Sequence, residues 1–226
     1  MEENKSFKNW RAQEVEEVFG IRRVFESPLL DIWLTSDPEV DDYKLITAER
    51  LRQELRVNVD SWNEAALKFF FIGPFVGLVG FNTQKYSGFL EQTLTVETQT
   101  GSARGNIDFM VATGREIPRS PYYLLHEYKP ESTTVLDPKG QLLIGMLAAQ
   151  RQNTAKGINI PIFGSYLIGR MWFFVILFEE EYVISDAFVA TDSEDNLRML
   201  KALLSVKKYI DSDFIDFAEV TKLPAA

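Results

Sequence analysis

Three charged residues stand in runs where a buried strand carries none. Asp108 lies inside GNIDFMVA (residues 105–112), between Ile107 and Phe109, and Glu127 and Lys129 lie inside LLHEYKPE (residues 124–131). An unpaired carboxylate is costly to bury, so Asp108 needs a cation, a hydrogen-bond donor or a metal beside it. In a pleated strand residues two apart share a face, which puts Glu127 and Lys129 together and turns His126 and Tyr128 the other way. If the two runs pair as neighbouring strands, the three charges converge at one place on a sheet. Two carboxylates with an adjacent ammonium suit a hard divalent cation such as Mg2+, which takes oxygen ligands and keeps several waters. Each has a plainer reading when taken singly: Glu127 and Lys129 as an ion pair on a solvent-facing strand, worth at most about 1 kcal/mol, and Asp108 as a partner of that pair or a turn-facing carboxylate. Their order, and the apolar strands that carry them, favour a metal site.

A hairpin, a further strand and a helix must hold these residues. Residues 89–98 alternate as a first strand, residues 102–113 return as a second about Gly101, and residues 122–129 form a third, ended by Pro130. Asp137 and Pro138 open a helix whose Leu142, Leu143, Met146, Leu147 and Ala149 cover the sheet. Residues 163–168 and 171–178 read as two strands about Gly169 and Arg170, residues 182–189 as another, and Asp192 caps a last helix to about Tyr209. Upstream, a helix over residues 10–19 stops at Gly20, and a second opens at Asp37-Pro38-Glu39 and runs to about Arg56. A third opens on Ser61 and Glu64, buries Ala65, Leu67, Phe69, Phe70 and Ile72, and ends at Gly73-Pro74.

An Asp in one strand, Glu-x-Lys in the next and a helix carrying Gln141 after them resemble the PD-(D/E)XK nuclease superfamily. A strand, Gly169-x-x-Trp172, a second strand, a short acidic turn and Tyr182-x-x-Ser185 are similar to the later half of a branch related to the N-terminal nuclease part of type I restriction subunits. The resemblance implies an α/β, restriction-endonuclease-like fold, with a mixed central sheet flanked by helices. Residues 61–210 form its nuclease-like core, and residues 1–60 form an N-terminal helical extension of the same single domain. It implies Asp108, Glu127, Lys129 and Gln141 as catalytic residues, and Asp108, Glu127 and the backbone carbonyl of Tyr128 as ligands of Mg2+, for which Mn2+ substitutes. Glu64 is implied as a further ligand, against its plainer reading as the glutamate of a Ser61-x-x-Glu64 capping box that also pairs with Lys68. The implied activity is metal-dependent hydrolysis of phosphodiester bonds in nucleic acid, with DNA the expected form. A non-catalytic nuclease-fold module that binds nucleic acid or protein is the alternative, and a homodimer or a partner subunit is compatible with both.

Composition bounds these readings. The chain has 226 residues, enough for one substantial domain, and no cysteine, which excludes disulfides and thiolate metal sites and fits a reducing compartment. Its first ten residues are polar and acidic, unlike a secretory leader, and the apolar stretch at 158–178 is broken by Pro161, Gly164, Gly169 and Arg170. A span needs about 20 apolar residues, so the expectation is a cytoplasmic protein without a membrane partner. The net charge of −9 argues against nonspecific coating of nucleic acid, although residues 104–156 carry seven basic against five acidic side chains. His126 is the only histidine and no G-x-S-x-G elbow is present, so hydrolase triads have little to build on and His126 reads as a packed residue. Gly73, Gly77 and Gly80 do not match a phosphate-binding loop.

Overall fold

The alternating runs on either side of Gly101 pair as an antiparallel hairpin in a computed structural model that describes residues 3–99, 101–131 and 137–213. Before the hairpin come β1 (Glu3–Ser6), α1 (Ala12–Phe19), β2 (Arg22–Arg23), α2 (Pro28–Thr35), α3 (Asp42–Asn58), α4 (Glu64–Leu67) and α5 (Gly73–Gly77). The hairpin itself is β3 (Tyr86–Glu97) and β4 (Gly101–Thr113), followed by β5 (Arg119–Lys129), α6 (Pro138–Thr154), β6 (Ile162–Ile168) and β7 (Met171–Phe178). The chain then forms β8 (Glu181–Ile184), β9 (Phe188–Val189) and α7 (Ser193–Asp211).

Among the described residues one mixed sheet of nine strands runs β1-β4-β5-β6-β7-β8-β2, with β3 along the other edge of β4 and β9 beside β7. The class is therefore α/β, a mixed sheet flanked by helices, as expected. β5 and β6 are parallel neighbours and need a crossover, which α6 supplies. The helices α2, α3, α4, α5 and α7 bury one face of the sheet, and α1 and α6 bury the other.

α6 buries the expected Leu142, Leu143, Met146, Leu147 and Ala149, and also Ile144 and Ala148 on its far side. The cause is α1, which packs across α6. Gly140 permits the approach, because a Cβ there would lie 2.3 Å from the Trp10 carbonyl oxygen. Asp137 leads α6, but its carboxylate accepts from the Ala12 N–H at 3.3 Å and so caps α1. At the other end of α6, the buried Asn153 amide closes both backbone groups of Tyr122, at 2.8 Å each. Asn153→Ala strands those two groups and is expected to cost about 1–2 kcal/mol, read as a lower midpoint in urea denaturation.

Among the boundaries that differ from the sequence expectation, three have a visible cause. α3 starts at Asp42 with Asp41 as its cap, accepting from the Lys44 N–H at 2.9 Å, whereas the expected cap Asp37 is held by Lys201 of α7. Residues 182–189 are two short strands, because the Ser185 hydroxyl takes the Phe174 N–H and turns the chain between them. The helix that opens at Glu64 does not end at Gly73-Pro74: residues Lys68–Ile72 form a π turn, and α5 continues from it. In the π turn Gly73 N–H reaches the Lys68 carbonyl, five residues back, and the wider turn makes room for the Pro74 ring without a clash. The extra residue shifts the buried face. Leu67, Phe71, Ile72, Phe75 and Val76 are buried, while Phe69 and Phe70, expected on the sheet, are 75% and 44% exposed.

Candidate active site

Asp108 lies where two strands part company. β4 pairs with β5 from Phe109 onward and with β1 only up to Arg104, so the edge of β4 at Asp108 has neither partner strand. The Asp108 side chain fills the gap: Oδ2 accepts the Tyr128 N–H of β5 at 2.9 Å. Its Oδ1 accepts from Lys68 Nζ at 2.7 Å. Lys68 is the first residue of the π turn, and its ammonium also meets Glu64 Oε1 at 2.8 Å and Glu91 Oε1 at 3.2 Å.

Glu127 and Lys129, two apart on β5, stand beside Asp108. They are not the solvent-facing ion pair of the plainer reading: Lys129 is 5% exposed and Glu127 is 0% exposed. Lys129 Nζ donates to the Tyr128 carbonyl at 3.0 Å and lies 3.9 Å from Glu64 Oε2. Among the described residues no N–H or O–H donor reaches either carboxyl oxygen of Glu127. Asp108 neighbours Glu127 closely enough to act on its charge and, once Glu127 is protonated, to share a hydrogen bond with it.

The electrostatics follow from burial. Desolvation pushes the Glu127 carboxyl well above its ordinary range and the Asp108 charge adds to it, while Lys129 and Lys68 pull it back. Burial draws Lys68 down, but hydrogen bonds to Asp108 and Glu64 outweigh it and leave the ammonium above its ordinary value. His126, packed between Phe109, Tyr128 and Trp172, is lowered by burial to about 3 and stays neutral. Its Nδ1 meets the Ser165 hydroxyl.

Of the sequence candidates, Asp108, Glu127, Lys129, the Tyr128 carbonyl and Glu64 come together at the fork. Gln141 is buried and its Oε1 has no partner, and among the described residues no hydrogen bond joins it to the others. The Ser61 capping box does not form. Asn63 caps α4 by accepting from the Ala66 N–H at 2.9 Å, which leaves Glu64 free to bind the two lysines, including the Lys68 pair anticipated four residues on. Sequence reasoning missed Lys68 as a partner of Asp108, and it missed Glu91. The signal for Glu91 is weak: it sits across from Asp108 on the paired strand, an ordinary polar position in an alternating run.

A groove of about 610 Å3 runs from Asp108 between α4, α5 and β3, walled by Phe69, Ile72, Phe81, Leu90 and Phe109. Among the described residues Lys68 is its only basic lining residue, against Glu91 and Asp108. A second depression of about 320 Å3 beside Lys5, Trp10 and Glu14 contains none of the cluster.

Fold and site together define an α/β protein with a buried carboxylate and lysine cluster at a strand fork. No protein-family model matches the chain, and no curated protein matches it. Among the described residues no three His, Cys, Asp or Glu side chains converge tightly enough to hold a metal ion by themselves. Mg2+ does not require three, since it is usually held by one or two carboxylates, waters and substrate oxygens. The donor set here fits that requirement, with Asp108, the unpartnered oxygens of Glu127 and the Tyr128 carbonyl. No helix among the described residues is long and apolar enough to cross a membrane.

Proposed function

We propose that the chain is a metal-dependent phosphodiesterase of nucleic acid, with DNA the expected substrate, on a restriction-endonuclease-like fold. The observation that supports this reading most is Glu127, a fully buried carboxylate that no N–H or O–H donor reaches among the described residues, next to a second carboxylate and a buried lysine two residues on. A buried carboxylate without a partner is a standing cost, and sites that tolerate one use it.

Asp108, Glu127 and the Tyr128 carbonyl would hold Mg2+, or Mn2+ in its place. When bound, the ion lowers the pKa of a water and offsets charge on the phosphate. The chain supplies the rest. Tyr128 N–H fixes the Asp108 carboxylate in one orientation. Lys129, anchored on the Tyr128 carbonyl, presents a desolvated ammonium that orients the attacking water or a phosphate oxygen as charge builds. Glu64 stands 3.9 Å from that ammonium and limits its swing. Gln141 contributes an amide for water or phosphate from the helix behind. The apolar groove leads to Asp108 and takes the sugar and base faces of a strand.

A non-catalytic interaction module on the same fold is the second reading. It is favoured by the Lys68 ammonium seated on Asp108 and by a groove that carries a single basic residue. Mn2+ calorimetry on wild type and Asp108→Asn, followed by Mg2+-dependent cleavage assays on end-labelled single- and double-stranded DNA and RNA, separates the two. The proposal expects metal uptake and cleavage by the wild type, both lost in Asp108→Asn. Absence of metal uptake by the wild type, alone and with each nucleic acid, sinks it.

A further inference from the structure

We infer that Lys68 is a tethered cation that a divalent metal must displace from Asp108, so that Lys68 sets the metal affinity of the free protein. The inference rests on the metal site proposed above and concerns what guards it.

The two oxygens of Asp108 are unequal. Oδ2 is committed to the Tyr128 N–H, a bond that stands in for the missing strand ladder at the fork. Giving it up would open the sheet. Oδ1 is the oxygen that can be surrendered, and it is the one Lys68 holds at 2.7 Å. A metal takes its carboxylate oxygen at about 2.0–2.1 Å when it is Mg2+. An ammonium 2.7 Å from that same oxygen would stand a few ångströms from a doubly charged ion. Coulomb repulsion over that distance is strong even where solvent screens it. The two cations are therefore alternatives on Asp108, and the unpartnered Glu127 beside it marks the direction from which the second one is taken.

The structure also provides a place for the displaced ammonium. Glu91 Oε1 is already 3.2 Å from Lys68 Nζ, and the Glu91 side chain is more than half exposed at the rim of the groove. Glu91 holds φ 50°, the left-handed region that a non-glycine residue rarely adopts. That backbone turns a carboxylate toward Lys68 from the strand paired with β4. The lysine stem is flexible enough to pivot from Asp108 to Glu91 without moving the helix. A phosphate in the groove would draw Lys68 the same way, so nucleic acid and metal binding should help one another, with the reciprocity that coupling requires.

The test is Mn2+ titration by calorimetry of wild type, Lys68→Gln, Lys68→Arg and Asp108→Asn, without nucleic acid and with a short non-cleavable phosphorothioate oligonucleotide. Glutamine keeps a donor of similar reach for Asp108 without the charge, and arginine keeps the charge, so a merely structural role for Lys68 would affect both. The expected result is Mn2+ binding about tenfold tighter in Lys68→Gln, wild-type binding in Lys68→Arg, and a smaller gain from the oligonucleotide in Lys68→Gln than in wild type. Equal or weaker Mn2+ binding by Lys68→Gln, with binding by the wild type that Asp108→Asn abolishes, overturns the inference and leaves the metal site standing. No Mn2+ binding by any variant under either condition overturns the metal site itself and the inference with it.

Discussion

Lys129→Met lowers the stability of the fold by about 3 kcal/mol at pH 8, the upper end of what leaving a buried polar group unsatisfied costs. For a chain of this length that is roughly 6–12 °C in Tm, at 2–4 °C per kcal/mol. Methionine approximates the stem of lysine and removes its charge together with its hydrogen bond to the Tyr128 carbonyl. The ammonium that disappears is 5% exposed, closes the Tyr128 carbonyl at 3.0 Å and opposes negative charge on Glu127. Lys68 then remains as the one cation beside two buried carboxylates. The loss should shrink toward pH 5, because protonating Glu127 relieves the imbalance. The double variant Lys129→Met with Glu127→Gln removes both charges and should recover at least about 1 kcal/mol, a coupling that a double-mutant cycle in urea reads directly. A Lys129→Met protein within about 0.5 kcal/mol of wild type, as for a surface ion pair, would show that Lys129 does not compensate Glu127.

The convergence of Asp108, Glu127 and Lys129 is legible because two short-range rules decide it. Alternation in β5 fixes which residues share a face, and the Gly101 turn fixes β4 as the neighbour of β3, leaving β5 to pair on the open edge. What is illegible depends on placements that no local rule sets. Lys68 reaches Asp108 across 40 residues of sequence, and it does so because a π turn begins at that position. A 3.6-residue period read through residues 64–72 puts Phe69 and Phe70 on the sheet and leaves Lys68 as nothing more than a helix partner of Glu64. Burial is legible in the apolar runs around Glu127 and Lys129, but its depth is not, because it is set by α6 and the helices of the opposite face closing over the fork.

The same division runs through the fold. Strong periodic segments, β3 to β7, α6 and α7, can be read to within a few residues, since their apolar patterns are long and their ends carry Gly, Pro or Asp. Caps chosen between two acids cannot: Asp37 and Asp41 are equivalent as sequence, and the choice is made by Lys201 on a helix 164 residues away. The two-residue β2 exists only because β8 offers an edge to it, and β1 only because β5 leaves β4 uncovered at Gly101 to Arg104. The same departure leaves the edge of β4 at Asp108 without a partner strand, so it creates both a strand site and the candidate active site.

Glu127→Gln raises stability above wild type at pH 8 in metal-free buffer, by up to about 3 kcal/mol, the upper range for a buried polar group left unsatisfied. The sign follows from the direction of its titration. Burial, then the Asp108 charge, raise the folded-state value above the ordinary 4.5. The folded protein therefore holds the Glu127 proton more tightly than the unfolded chain does. That contribution to stability is complete below about pH 4.5 and is lost as pH rises through the raised value, so the advantage of glutamine grows from pH 5 to pH 8. His126 works in the opposite sense, since its folded value of about 3 makes the fold less stable as pH falls below 6.5. It is present in both proteins and cancels in the difference of their Tm values, which is the quantity to measure across that range. A difference that stays flat from pH 5 to pH 8 would mean that Glu127 ionises in the fold as it does in water, and that the fork leaves it a partner. Added Mn2+ should reverse the order. The wild type gains stability from an ion that its two carboxylates hold, Glu127→Gln gains little, and the residue that costs the empty fold most becomes the one that secures the loaded one.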